Sequence, residues 1–358
     1  MMSIDCRYNF EIMKSGFSFF VSAAWVMALV KIAVVIGVLL GMVAYIVWAE
    51  RRIAAFIQDR LGPNRVGPWG LFQPIADGLK FLFKENVLPN HVNKVYYVLA
   101  PTIAMIPALL TFAVIPFGSS LGSEPMVIAD LNVGVLWIFS IASLGVYGIV
   151  LAGWASNSKY PFFGSIRASA QMISYELSMG MSVVGVFMLV GSLNLSKVIL
   201  YQHDGWLIFK QPLGFFIFLV AAFAETNRLP FDFPESEQEL VGGYHTEYGS
   251  MKFALFFLAE YANMVTVSAL MVTMFFGGWT LPFWGLDQPA TTLAGGMAHI
   301  AIFLAKVLAF ILFYIWVRWT LPRFRYDQLM DLGWKVFIPL ALGNILVTGV
   351  VIALQMRN

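Results

Sequence analysis

The chain of 358 residues is poor in what most catalytic and nucleic-acid-binding proteins need. It has one cysteine, Cys6, and four scattered histidines, His91, His203, His245 and His299. That excludes an intrachain disulfide, an iron–sulfur ligand set and a zinc cluster at ligand spacing. Charged residues make up only 12% of the chain, about half the share of an ordinary soluble domain. The formal net charge of +2 gives nucleic acid no reason to bind. No GxGxxG or GxxxxGK[ST] loop occurs, so a nucleotide or flavin has no evident seat. The start lacks the short apolar core and cleavage site of a signal peptide and reads as retained.

What is abundant is apolar residues, 59% of the chain. Stretches near the roughly 20 residues that cross a bilayer fall at about 26–48, 97–117, 134–154, 170–190, 206–224, 253–276, 299–319 and 335–355. The expectation is an all-α polytopic bundle of eight transmembrane helices. Residues 1–25 read as an N-terminal extension and 26–358 as one domain, since no linker or internal repeat divides them. The first apolar run, Phe17 to Ala49, reaches roughly 50 Å as a helix. That is too long for an upright span, so steep tilt or a break is expected. Most lysines and arginines lie in the loops after spans 1, 3, 5 and 7, which places those loops in the cytoplasm and both termini outside.

After span 1, Leu71, Phe72, Ile75, Leu79, Leu82 and Phe83 recur at helical spacing opposite Gln73, Asp77, Lys80 and Lys84. The pattern fits an amphipathic helix in the membrane interface. The same stripe would serve, as the second reading, a helix docked on a soluble partner.

Ionisable groups at membrane depth usually face a bundle interior or a wet cavity. Glu176 lies in span 4, whose Gln171, Ser174, Ser178 and Ser182 form a polar stripe. Glu260 and Lys306 sit inside spans 6 and 7, and Lys31 inside span 1; each lysine reads equally well as a structural cation. Span 5 has only 12 apolar residues from Leu213 to Ala224, so either Lys210 and Pro212 or Glu225 is drawn toward the membrane. The reading favoured here places Glu225 at membrane level, paired with Arg228. The acids that follow in "RLPFDFPESEQEL" (228–240) are interleaved with Phe231, Phe233 and two prolines, unlike a solvated loop. Their repulsion and partial burial should make them share protons.

Four stretches carry a resemblance: "AERRIAAFIQDRLGPNRVGPWGLFQPIADGLKFLFKE" (49–85), "GWASNSKYPFFGSIRASAQMISYELSMG" (153–180), "AETNRLPFDFPESEQELVGGYHTEYGSMKFALFFLAEYANM" (224–264) and "WVRWTLPRFRYDQLMDLGWK" (316–335). They resemble the family of H subunits of bacterial NADH-quinone oxidoreductase, respiratory complex I. Ser236 departs from the family's usual Ala or Gly, and the first 20 or so residues look like an addition.

The resemblance implies a subunit of a proton-translocating NADH:quinone oxidoreductase in the bacterial inner membrane. It implies quinone, ubiquinone or menaquinone, as substrate, with no metal, flavin or nucleotide bound to this chain. Partners would be other membrane-arm subunits, quinone-site subunits of the hydrophilic arm, and lipid. By position, Glu176, Glu225, Asp232, Glu235, Glu237 and Glu239 would begin the line of groups that couples quinone chemistry to proton pumping. Arg51, Arg60, Glu247 and Tyr248 would line the tunnel through which quinone enters, and no catalytic residue would lie in this chain. Three rivals remain at this stage: the related membrane subunit of a membrane-bound hydrogenase, a secondary transporter, and a passive anchor for a peripheral arm.

Overall fold

Long apolar runs with few breakers become helices because lipid leaves no other way to satisfy the backbone. The computed structural model describes residues 4–122, 124–234, 237–282 and 287–357, and for residues 4–24, 204, 237 and 238 the backbone alone. In chain order its helices are α1 (Ile4–Ile57), α2 (Gln73–Phe83), α3 (Lys94–Leu110), α4 (Gly134–Ala155), α5 (Lys159–Val190), α6 (Leu195–Tyr201), α7 (Pro212–Glu225), α8 (Glu237–Leu240), α9 (Ser250–Phe275), α10 (Leu293–Thr320), α11 (Tyr326–Asp331) and α12 (Ile338–Arg357). A short antiparallel hairpin, β1 (Ser120–Leu121) with β2 (Glu124–Pro125), follows α3. A π-helical stretch, Leu332–Phe337, joins α11 to α12.

Among the described residues, seven helical segments are long and apolar enough to cross a membrane: Trp25–Ile57, Lys94–Val114, Gly134–Ala155, Lys159–Val190, Ser250–Phe275, Leu293–Thr320 and Tyr326–Arg357. The expected fifth span is the shorter α7. Its 14 residues give roughly 21 Å of helix, short of a hydrocarbon core of about 30 Å. The long first run meets no break, and one helix carries it into residue 57.

The centre of the bundle is α9, in which every residue from Met264 to Phe275 is buried. Around it pack α3, α10, α7 and the edge helix α1, while α4 and α5 extend the layer from α3. Glycine sets the closest approach. A Cβ on Gly148 of α4 would stand 2.8 Å from the Ala104 nitrogen of α3, so only a bare Cα fits there. Lys306 of α10 donates to the carbonyls of Phe276, Gly278 and Thr280 at 2.7, 3.0 and 2.7 Å. It thereby caps the C-terminal end of α9, where a cation is favoured. The expected polar stripe of α5 turns inward: Gln171, Ser174, Ser178 and Ser182 are all buried.

Candidate functional site: a buried charge network beside an acidic loop

The site forms where α7 ends. Asn227 adopts the left-handed conformation, with φ of 52°. The Arg228 amide then donates to the Phe223 carbonyl and the Asn227 amide to that of Ala224. This is the reversal known as a Schellman turn, with asparagine in place of the usual glycine. Gln171 of α5 fastens both sides of it, donating to the carbonyls of Ala224 and Phe231, each at 2.8 Å.

The reversal carries Arg228 away from its neighbour Glu225, so the expected Glu225–Arg228 pair is not formed. The Arg228 guanidinium instead lies 2.8 Å from Glu260 of α9 and 3.3 Å from Glu50 of α1. It also sits 4.0 Å over the ring of Tyr261. Glu50 is 5% exposed and is the hub: Tyr261 donates to it at 2.6 Å, and Arg318 of α10 forms a further ion pair. Asp232, in the loop after α7, pairs with Arg323 at 3.2 Å. Three carboxylates thus face three guanidiniums. Burial, then the charge of Glu260, pushes the Asp232 carboxyl up to about 6 against the pull of Arg323, Arg318 and Arg228.

Glu225 stands apart from this balance. It is buried, and its Oε2 has no hydrogen-bond partner. Among the described residues neither Glu225 nor Glu176, which acts on it electrostatically, has a cation at ion-pair distance. Glu225 lines a cavity of about 30 Å³ with Glu260, Thr226, Asn227 and Asn263. That volume is enough for a water molecule, and both Glu225 and Glu260 line it.

The other acids of the loop differ in environment. Glu239 is exposed and bound to Arg167 of α5 at 2.6 Å. Glu235 lies outside the described residues, as does the side chain of Glu237.

The four expected tunnel residues do not gather in one described pocket. Arg51 pairs with Asp77 of α2 at 2.7 Å, and Arg60 donates to Gln58. Glu247 accepts from Tyr97 through its backbone carbonyl and lies 3.8 Å from His91. Tyr248 stacks on Tyr97 with centroids 4.1 Å apart. Burial raises the Tyr248 hydroxyl above its ordinary pKa, and burial lowers His245 to about 4. What joins the two groups is α2, whose last carbonyls accept from Ser250 at the start of α9. Its Ile75, Leu79, Leu82 and Phe83 are exposed on one side. Among the described residues no group of three or more His, Cys, Asp or Glu is placed to hold a metal ion.

Sequence reasoning missed Glu50, Arg318 and Arg323. Glu50 had one available signal: it directly follows the uncharged apolar stretch from Ile32 to Ala49.

Comparison with known proteins places these features in context. The family model described as NADH dehydrogenase matches residues 30–349. The second NADH-quinone oxidoreductase H subunit of Koribacter versatilis is 52% identical over 347 residues, covering 92% of this chain and 97% of that protein. The first NADH-quinone oxidoreductase H subunit of Geobacter metallireducens is 54% identical, covering 91% and 97%. NADH-quinone oxidoreductase subunit 8 of Rhodothermus marinus is 52% identical, covering 89% and 95%.

Proposed function

The chain belongs to the NADH dehydrogenase family typified by the H subunit of NADH-quinone oxidoreductase, and from that premise we propose that it links quinone reduction to proton movement within that complex. It is a multi-pass membrane subunit of the proton-translocating enzyme, and its partners are the other subunits of the complex. In this reading α7 is an eighth crossing, residues 26–358 form one bundle behind an extension, and α2 lies in the interface. The loops after the odd-numbered spans face the cytoplasm and the hydrophilic arm; both termini lie on the periplasmic side of the inner membrane.

Quinone enters past α1, α2 and α9, where Arg51, Arg60, Glu247 and Tyr248 meet it. Reduction to the quinol takes up two electrons, delivered by other subunits, and two protons. Uptake near the network changes the charge that Asp232, Glu260 and Glu50 present to the three arginines. Glu225 and Glu176, and beyond them Glu235, Glu237 and Glu239, pass that change on toward the pumping subunits.

The observation that supports this most is the contrast between a balanced buried network and one buried carboxylate, Glu225, that shares a cavity with it but has no cation among the described residues. Glu225→Gln tests it. An amide keeps the shape but cannot carry a proton, and no cation is stranded. The complex should assemble and should oxidise NADH with a hydrophilic artificial acceptor at the normal rate. Quinone reductase activity and pumping should fall together, by about a hundredfold or more, the range over which a positioned proton-transfer group acts. Normal quinone turnover with normal pumping would refute the role of Glu225.

A further inference from the structure

Along the middle of α1, on the side away from Arg51, lies a groove of about 420 Å³. It is walled by Val34 and Val38 of α1, Phe117 and Leu121 near the hairpin, and Phe303 and Leu304 of α10. Every lining residue is apolar except two, Lys31 and Glu124, which form an ion pair at 2.8 Å. The lysine side chain is 15% exposed and the carboxylate 43%, so both charges remain reachable from the groove's rim. The rim is also fixed. Ser119 bonds to His299 at 2.8 Å, and Ser120 donates to the Ala290 carbonyl at 2.8 Å, tying the hairpin to the start of α10. A volume within the roughly 300–1,000 Å³ of small-molecule sites and a rim held by hydrogen bonds mark a preformed cleft rather than a gap between loose helices.

Helix length sets its level in the membrane. The segment Lys94–Val114, 21 residues, rises roughly 31 Å, the thickness of the hydrocarbon core. The hairpin that follows therefore stands at the headgroup level opposite the loop that begins after α1. Lys31 stands there too, since it pairs with Glu124, and its separation from Arg51 along α1 is again roughly 30 Å.

We propose that this groove holds a zwitterionic glycerophospholipid of the opposite leaflet, an ethanolamine lipid, with its acyl chains between α1 and α10. Its phosphate lies against Lys31 and its ammonium against Glu124. The charge pattern selects the occupant. A quinone carries no charge for either group, an anionic phospholipid would set its net negative charge beside Glu124, and a zwitterion complements both members of the pair. The lipid would fix the outer half of α1 to the bundle. It would do so far from the Arg51 end, where quinone is proposed to pass.

The test uses the intact complex in vesicles of phosphatidylglycerol carrying a minor fraction of photoactivatable phosphatidylethanolamine, with photoactivatable phosphatidylglycerol and a photoactivatable quinone analogue in parallel. Labelled peptides covering 30–42 and 300–307 are then quantified. The ethanolamine probe should label them about tenfold more than the glycerol probe, the ratio that ~1.4 kcal/mol of preference gives. Val34→Trp, which fills the groove, should cut that labelling about tenfold, and Glu124→Gln should bring the two lipid probes to parity. Leu304→Trp fills the groove from the opposite wall and serves if Val34→Trp does not assemble. Equal labelling by both lipids in the unsubstituted complex, stronger labelling by the quinone analogue, or no labelling because a partner subunit's helix covers the groove would each overturn the proposal.

Discussion

Replacing Arg228 with methionine removes a guanidinium that touches both Glu50 and Glu260. At an effective dielectric near 20, charges 2.8 Å apart attract by roughly 6 kcal/mol and at 3.3 Å by roughly 5. Desolvation offsets part of each, and the net loss on breaking a buried pair is typically about 3–5 kcal/mol. Glu50 keeps Arg318 and Tyr261 as partners. The expected result for Arg228→Met is poor assembly on native gels and a large fall in the thermal midpoint of the purified complex. Adding Glu260→Gln should recover part of it, because one of the two carboxylates that faced the lost cation is then neutral. Adding Glu225→Gln should recover less, since Glu225 makes no ion pair with Arg228. Rescue by Glu225→Gln and none by Glu260→Gln would refute the pairing described here.

Opposite pH slopes are expected from two loop residues. Asp232 holds its proton more tightly folded, about 6, than the ordinary 3.8 of an aspartate. Its contribution therefore lowers stability as pH rises from about 4 to about 6, by on the order of 3 kcal/mol in all. His245 at about 4 against an ordinary 6.5 lowers stability as pH falls through the same region. In denaturation series, His245→Phe should leave a falling slope with pH and Asp232→Asn a rising one; slopes of the same sign would contradict the assignment. Gly148→Ala sets a methyl against α3 backbone and should cost about 1–3 kcal/mol. Gly145→Ala, with nothing within 4 Å, should be neutral or better in the same thermal assay. Arg51→Ala breaks a half-exposed ion pair worth less than about 1 kcal/mol. It should leave assembly intact and raise the KM for quinone; an unchanged KM would assign Arg51 to anchoring alone.

The apolar runs were legible because a bilayer demands them, and so was the α5 stripe, whose spacing of three and four residues puts Gln171 and the serines on one face. The pairing at the end of α7 was not. Glu225 and Arg228 are three apart, which on a continuing helix would make them neighbours, but Asn227 ends the helix between them and turns the arginine around. The partners it meets, Glu50 and Glu260, lie 178 and 32 positions away, and no local pattern connects them. Lys306 looked ionic at membrane depth. Its role as a cap for α9 depends on three carbonyls contributed by residues 276, 278 and 280, which only the packing of α10 on α9 brings within reach.

Gln171 and Tyr175 stand one helical turn apart on α5. The first holds the carbonyls of Ala224 and Phe231; the second donates to the Leu329 carbonyl at 2.8 Å, just before the π-helical stretch that leads into α12. The turn bearing Glu225 and the root of the last span are thus tied to neighbouring points on one rigid rod. An outward displacement of that turn cannot remain local: either two short hydrogen bonds to one amide break, or α5 moves and the base of the last helix moves with it.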